Sequence, residues 1–138
     1  MLSPWGRLLL ALVGLGLGLL LATAWRLTPD PRGFGTHEQL GLAACGFIHW
    51  TGRPCPSCGM TTAWAYAVRG DLVAALSANA GGALLCLAAA LAAPWALGSA
   101  IAGRWLWRPS PRVVLWIGTS WLALALLDWA RRLAVGWF

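Results

Sequence analysis

Residues 5–25 read WGRLLLALVGLGLGLLLATAW, a run in which Arg7 is the only charge. At 1.5 Å of helical rise per residue, about twenty residues cover about 30 Å, one hydrocarbon thickness of a bilayer. Trp5 and Trp25 close the run at its two ends, where indole rings suit the membrane interfaces. A cleaved secretory leader competes with this reading, since Arg7, the leucine-rich core and Ala22-Thr23-Ala24 follow that pattern. Of the two we read a retained transmembrane helix.

Composition extends the reading outward. The chain has 138 residues, 59% hydrophobic and only 10% charged, against about 25% charged in soluble domains. A second apolar run spans residues 82–102 and is interrupted only by Pro94, which in lipid marks a kink rather than an end. A third, 113–129, follows the break Arg108-Pro109-Ser110-Pro111-Arg112. The expectation is one all-α integral membrane domain over residues 1–138, with about three transmembrane helices at 5–25, 82–102 and 113–129. Its central segment, 26–80, carries short interfacial helices around a Cys-rich turn. The lipid bilayer is the first partner this implies.

The ten basic residues are all arginine, giving a net charge of +6. They stand at the ends of apolar runs and form no clustered basic face, which argues against nucleic-acid binding and suits an anionic membrane surface. Orientation stays open. An N-terminus inside puts Arg7, Arg104, Arg108 and Arg112 in the cytoplasm, and Arg26, Arg32, Arg53, Arg69, Arg131 and Arg132 on the other side. Asp128 and Arg132 have helical ion-pair spacing and read as an interfacial anchor at the end of the third span. Most of the eleven tryptophans lie near span ends and read as anchors too. Gly14 and Gly18 offer a small-xxx-small face for close helix packing.

In the central segment, residues 28–35 are turn material rich in proline and glycine. Thr36 then reads as a helix cap, with Gln39 in capping-box position and a helix continuing to about Trp50. Residues 61–68 read as a short helix broken at Arg69-Gly70, and Asp71 caps another over 72–78 before Asn79 and Gly81-Gly82 lead into the second span. A helix spanning lipid through Arg69 and Asp71 would bury both charges at a cost of several kcal/mol, so that alternative is rejected.

The chemistry concentrates in Cys55-Pro56-Ser57-Cys58-Gly59, preceded by Cys45 and His49. The spacing C-x3-H-x5-C-x2-C offers four donors, Cys45, His49, Cys55 and Cys58. Zinc takes about four such ligands in a tetrahedron, with Zn–S near 2.3 Å. Pro56 stiffens the turn, Gly59 lets the chain fold beneath it, its backbone N–H groups can donate to sulfur, and Arg53 stands close enough to favour thiolates. Three alternatives stay open: disulfide exchange by Cys55 and Cys58, a static disulfide in an oxidising compartment, and reduced thiols in a packed loop. Cys86, alone in the second span, reads as a small apolar residue. His37 is a reserve fourth ligand. No grouping of acids, serines or histidines suggests catalysis.

The stretch from Cys45 to Asn79 resembles a family of small bacterial integral membrane proteins classed as a domain of unknown function, with the hallmark C…TGxPCPxCGxTRA. Here the matching residues are Cys45, Thr51-Gly52-Arg53-Pro54-Cys55-Pro56-Ser57-Cys58-Gly59-Met60-Thr61-Thr62-Ala63, then Arg69-Gly70-Asp71 and Asn79. Thr62 stands where the family carries arginine, a role that passes to Arg53 if it is kept. The resemblance implies a membrane architecture in which Cys55, Pro56, Cys58, Gly59 and Thr61 act as a unit. The expectation for function is a non-enzymatic, multi-pass protein of the bacterial cytoplasmic (inner) membrane with a structural zinc–thiolate site. It would serve as an accessory subunit beside a membrane-protein partner or as a homo-oligomer. The alternative is a membrane thiol-disulfide oxidoreductase using the CPSC pair.

Overall fold

The computed structural model describes residues 1–135. Helix α1 spans Pro4–Arg26, with the Ser3 hydroxyl accepting from Gly6 N and Pro4 at the first helical position, where a missing N–H costs nothing. A 3-10 turn follows at Thr36–Leu40, then α2 at Gly46–Thr51, α3 at Met60–Ala67, α4 at Leu72–Ala102 and α5 at Pro111–Val135. The described residues contain no strand, and α1, α4 and α5 are long and apolar enough to cross a membrane. The all-α architecture and its three candidate spans match the reading of the sequence.

α4 is the hub, with α1 and α3 packed along it and α5 touching it from another side. Its buried stripe of Cys86, Ala89, Ala93, Ala96 and Ala100 recurs every three or four residues. Side chains this small let neighbouring backbones approach closely. Gly14 of α1 uses that closeness: a Cβ there would lie 2.6 Å from Leu97 Cγ and 3.0 Å from Ala93 O. Gly18, its expected companion, has nothing within 4 Å.

The helix ends are tied in antiparallel fashion. Leu2 N donates to Gly103 O at 2.8 Å and Arg7 Nε to Ala100 O at 2.9 Å, joining the start of α1 to the end of α4. At the opposite end, the Arg69 guanidinium donates to Ala24 O, Trp25 O and Ala65 O and lies over the Trp25 ring. A cation there satisfies carbonyls left free at the C-terminus of α1 and complements its dipole.

Two expectations need correction. The helix expected from Thr36 to Trp50 is split, because Gly41 adopts φ 76° and ends the 3-10 turn, a left-handed conformation that favours glycine. Gly35 caps that turn, and Thr36 points inward instead, accepting from Asp30 N at 3.0 Å and sharing a 2.7 Å bond with Thr62 Oγ1. Nor are Asp128 and Arg132 an interfacial anchor; they are the only buried residues described in α5.

The expected break before the second span is present inside α4. Asn79 has φ −165° and ψ 106°, outside helical values. Asp71 Oδ1 accepts from Ala74 N at 3.0 Å and Asn79 Oδ1 from Gly82 N at 2.7 Å. Each side chain caps the helical stretch that follows it. Pro94 sits within α4 without ending it.

Candidate metal centre

The cysteine turn is built by local hydrogen bonds. Cys58 N donates to Cys55 O at 3.1 Å and Met60 N to Ser57 O at 3.1 Å. Gly59 then takes φ 84° and hands the chain to α3, a turn that an L side chain would strain. Cys55 N donates to Cys58 Sγ at 3.2 Å, the backbone-to-sulfur bond expected of this sequence. Cys45 reaches the turn from the other side as the residue immediately before α2.

Three sulfurs therefore meet. Cys55 Sγ lies 2.8 Å from Cys58 Sγ, Cys58 Sγ 3.3 Å from Cys45 Sγ, and Cys45 Sγ 3.6 Å from Cys55 Sγ. None of them is in a disulfide. A tetrahedral thiolate site with bonds of about 2.3 Å has sulfur–sulfur edges of about 3.8 Å, so a small outward adjustment makes room for an ion. Cys58 is buried, at 6% exposure, while Cys45 and Cys55 are half-buried. The donor set fits a thiophilic metal.

Protonation differs across the triangle. Burial pushes the Cys58 thiol well above its ordinary range, helped by contacts with the Cys55 and Cys45 thiols. Burial pushes Cys45 upward as well, but hydrogen bonds from Ile48 N–H, from the Cys58 and Cys55 thiols and from Phe47 N–H outweigh it and hold that thiol below the ordinary value.

His49 lies on α2 and is exposed. The donor atoms within 4.8 Å of one another are those of Cys45, Cys55 and Cys58, without it. His37 shares with the three cysteines the lining of a cavity of about 400 Å³, completed by Phe34, Leu42, Met60 and Thr61 among others. Its Nε2 lies 3.1 Å from Ala43 O. A carbonyl can only accept, so this bond puts the proton on Nε2 and leaves the Nδ1 lone pair to act as a metal ligand.

Residues far away in sequence hold the turn from behind. Asn79 Nδ2 donates to Pro56 O at 3.1 Å and to Cys58 O at 3.0 Å. Arg132 Nη2 donates to Pro56 O at 3.0 Å and Nη1 to Cys58 O at 2.8 Å, while Trp129 Nε1 donates to Pro54 O at 2.8 Å. Sequence reasoning gave none of the three a role at the site. The signal for Arg132 and Asp128 was nonetheless present, since ionisable residues within an apolar span are expensive and generally functional. Arg53 is exposed, and the guanidinium that reaches the turn is that of Arg132. Thr62, at the position of the arginine in the resembled family, is fully buried against Thr36.

No curated protein and no solved structure matches the chain. Residues 45–93, from the first cysteine of the cluster through the capped break at Asn79 and into the second span, match the model of a family described as protein of unknown function (DUF2752).

Proposed function

We propose that this chain is a multi-pass protein of the bacterial cytoplasmic membrane that holds one thiophilic metal ion, zinc first among them, at Cys45, Cys55 and Cys58. The observation that carries the reading is the convergence of three sulfurs, from residues 45, 55 and 58, to within 4.8 Å of one another. Thiols crowded in this way repel when ionised, and a bound cation removes that repulsion. A histidine completes the tetrahedron: His49 by its spacing after Cys45, or His37 by its place on the wall of the same cavity.

The role is structural and the protein an accessory subunit of a larger membrane assembly. The three candidate spans are apolar along their lengths, and the long apolar faces of α1 and α5 accommodate lipid, a membrane-protein partner or a second copy. Elemental analysis of the full chain, purified without added metal or chelator, tests the metal reading alongside a count of free thiols. About one zinc per chain is expected, with the three thiols protected until a chelator is added.

A second reading is thiol-disulfide exchange, favoured by the 2.8 Å approach of Cys55 and Cys58. In that chemistry Cys45, whose thiol is held below its ordinary value, is the better attacking group and buried Cys58 the poorer. Metal-free protein with a reducible disulfide supports this reading and removes the first.

A further inference from the structure

α5 is apolar along most of its length, with Val114, Leu115, Trp116, Ile117 and Leu127 all exposed, yet its only buried described residues are Asp128 and Arg132. Arg132 is 1% exposed, its Nε lies 3.1 Å from Asp128 Oδ2, and its two terminal nitrogens donate to carbonyls 74 and 76 residues away in the cysteine turn. Asp128 is in turn fixed by Ala80 N at 3.2 Å and by Arg131 at 2.8 Å. Burying a guanidinium is costly unless charge and hydrogen bonds compensate it. One carboxylate shared by two arginines leaves an excess positive charge beside the thiols. A divalent ion bound by three thiolates carries the matching excess negative charge.

We propose that Arg132, oriented by Asp128, is the positioning and charge-compensating residue of the metal centre, so that metal occupancy and the docking of α5 onto the turn are thermodynamically linked. The inference rests on the metal reading. It assigns to α5, which lies outside the family match at 45–93, the completion of a site whose three cysteine ligands all lie within that match. Linkage is reciprocal: the factor by which docked α5 raises metal affinity is the factor by which metal favours docking.

The test uses the full chain in detergent or nanodiscs with Zn²⁺ as the probe. Affinity is read by competition with a chromophoric chelator, and docking by hydrogen–deuterium exchange of residues 124–135. In the wild type, zinc is expected to slow exchange both in the cysteine turn and in residues 124–135. Arg132→Gln is expected to weaken zinc about 10- to 100-fold, as loss of outer-sphere partners does, and to abolish the slowing in α5 while the turn still responds. Arg132→Lys, which keeps the charge but not the two-pronged geometry, should recover part of the affinity. Should Arg132→Gln fail to fold, Arg132→Lys and the wild-type exchange experiment decide. Zinc binding by the wild type with no change in α5 exchange, or equal zinc affinity in wild type and the Arg132 variants, overturns this inference and leaves the metal reading standing. Absence of zinc binding by the wild type removes both.

Discussion

At the scale of single residues, the three cysteines differ in what sharing an ion would require of them. Cys58 is a neutral thiol in the metal-free protein, pushed up by burial and by its neighbours' thiols, and binding must displace its proton. Acid therefore opposes the metal: apparent zinc affinity should rise from pH 6 to pH 8, by about tenfold per pH unit for each proton released. Competition titrations at three pH values check this, and a flat profile would speak against thiol ligation. Cys45→Ser and Cys58→Ser should each remove the metal from the purified protein. Parallel His37→Ala and His49→Ala samples identify which histidine contributes, since loss of the fourth ligand weakens binding while loss of a bystander does not. The pair Cys55 and Cys58 was legible because a C-x-x-C turn is local. The contribution of Arg132 was not, because its partners lie 74 and 76 residues away and i,i+4 spacing alone describes its bond to Asp128.

At the scale of elements, Asn79 joins two tasks. Its carbonyl oxygen caps the second stretch of α4, and its amide nitrogen binds the carbonyls of the cysteine turn. Asn79→Ala loses a cap worth about 1 kcal/mol together with the amide donor that shares each turn carbonyl with Arg132, for a combined destabilisation of about 2 kcal/mol. Thermal unfolding in detergent measures it, and an unchanged midpoint would mean the break is held by other contacts. Glycines make a sharper comparison. A Cβ on Gly82 would lie 2.9 Å from Met60 Cγ and 3.0 Å from Met60 Cα, backbone that cannot step aside, so Gly82→Ala should cost about 1–3 kcal/mol. Gly18→Ala, with nothing within 4 Å, should be neutral or slightly stabilising. Apolar run length gave these long helices away, as did Asp71 and Asn79 at the breaks. The helix expected over 36–50 failed because its polar start and cap signal were stronger than the one glycine, Gly41, that ends the turn.

At the scale of the whole molecule, the chain places all its candidate chemistry at one end of the bundle. The end of α1, the break in α4, the end of α5 and the cysteine turn gather there, while the start of α1 and the end of α4 meet at the other. That polarity follows from antiparallel α1 and α4, which sequence length and hydropathy imply. The closure of α5 over the turn does not follow from them, because it depends on two charges in an apolar helix. A metal at the closing point stabilises the folded state by mass action. Chelator should lower the unfolding midpoint of the wild type and leave that of Cys58→Ser unchanged.

Ligation by the three sulfurs of Cys45, Cys55 and Cys58 is read out by X-ray absorption at the metal edge of the purified, metal-bound protein. Three sulfur neighbours at about 2.3 Å and one nitrogen at about 2.0 Å are expected. A shell of oxygen and nitrogen alone would place the metal elsewhere and contradict it.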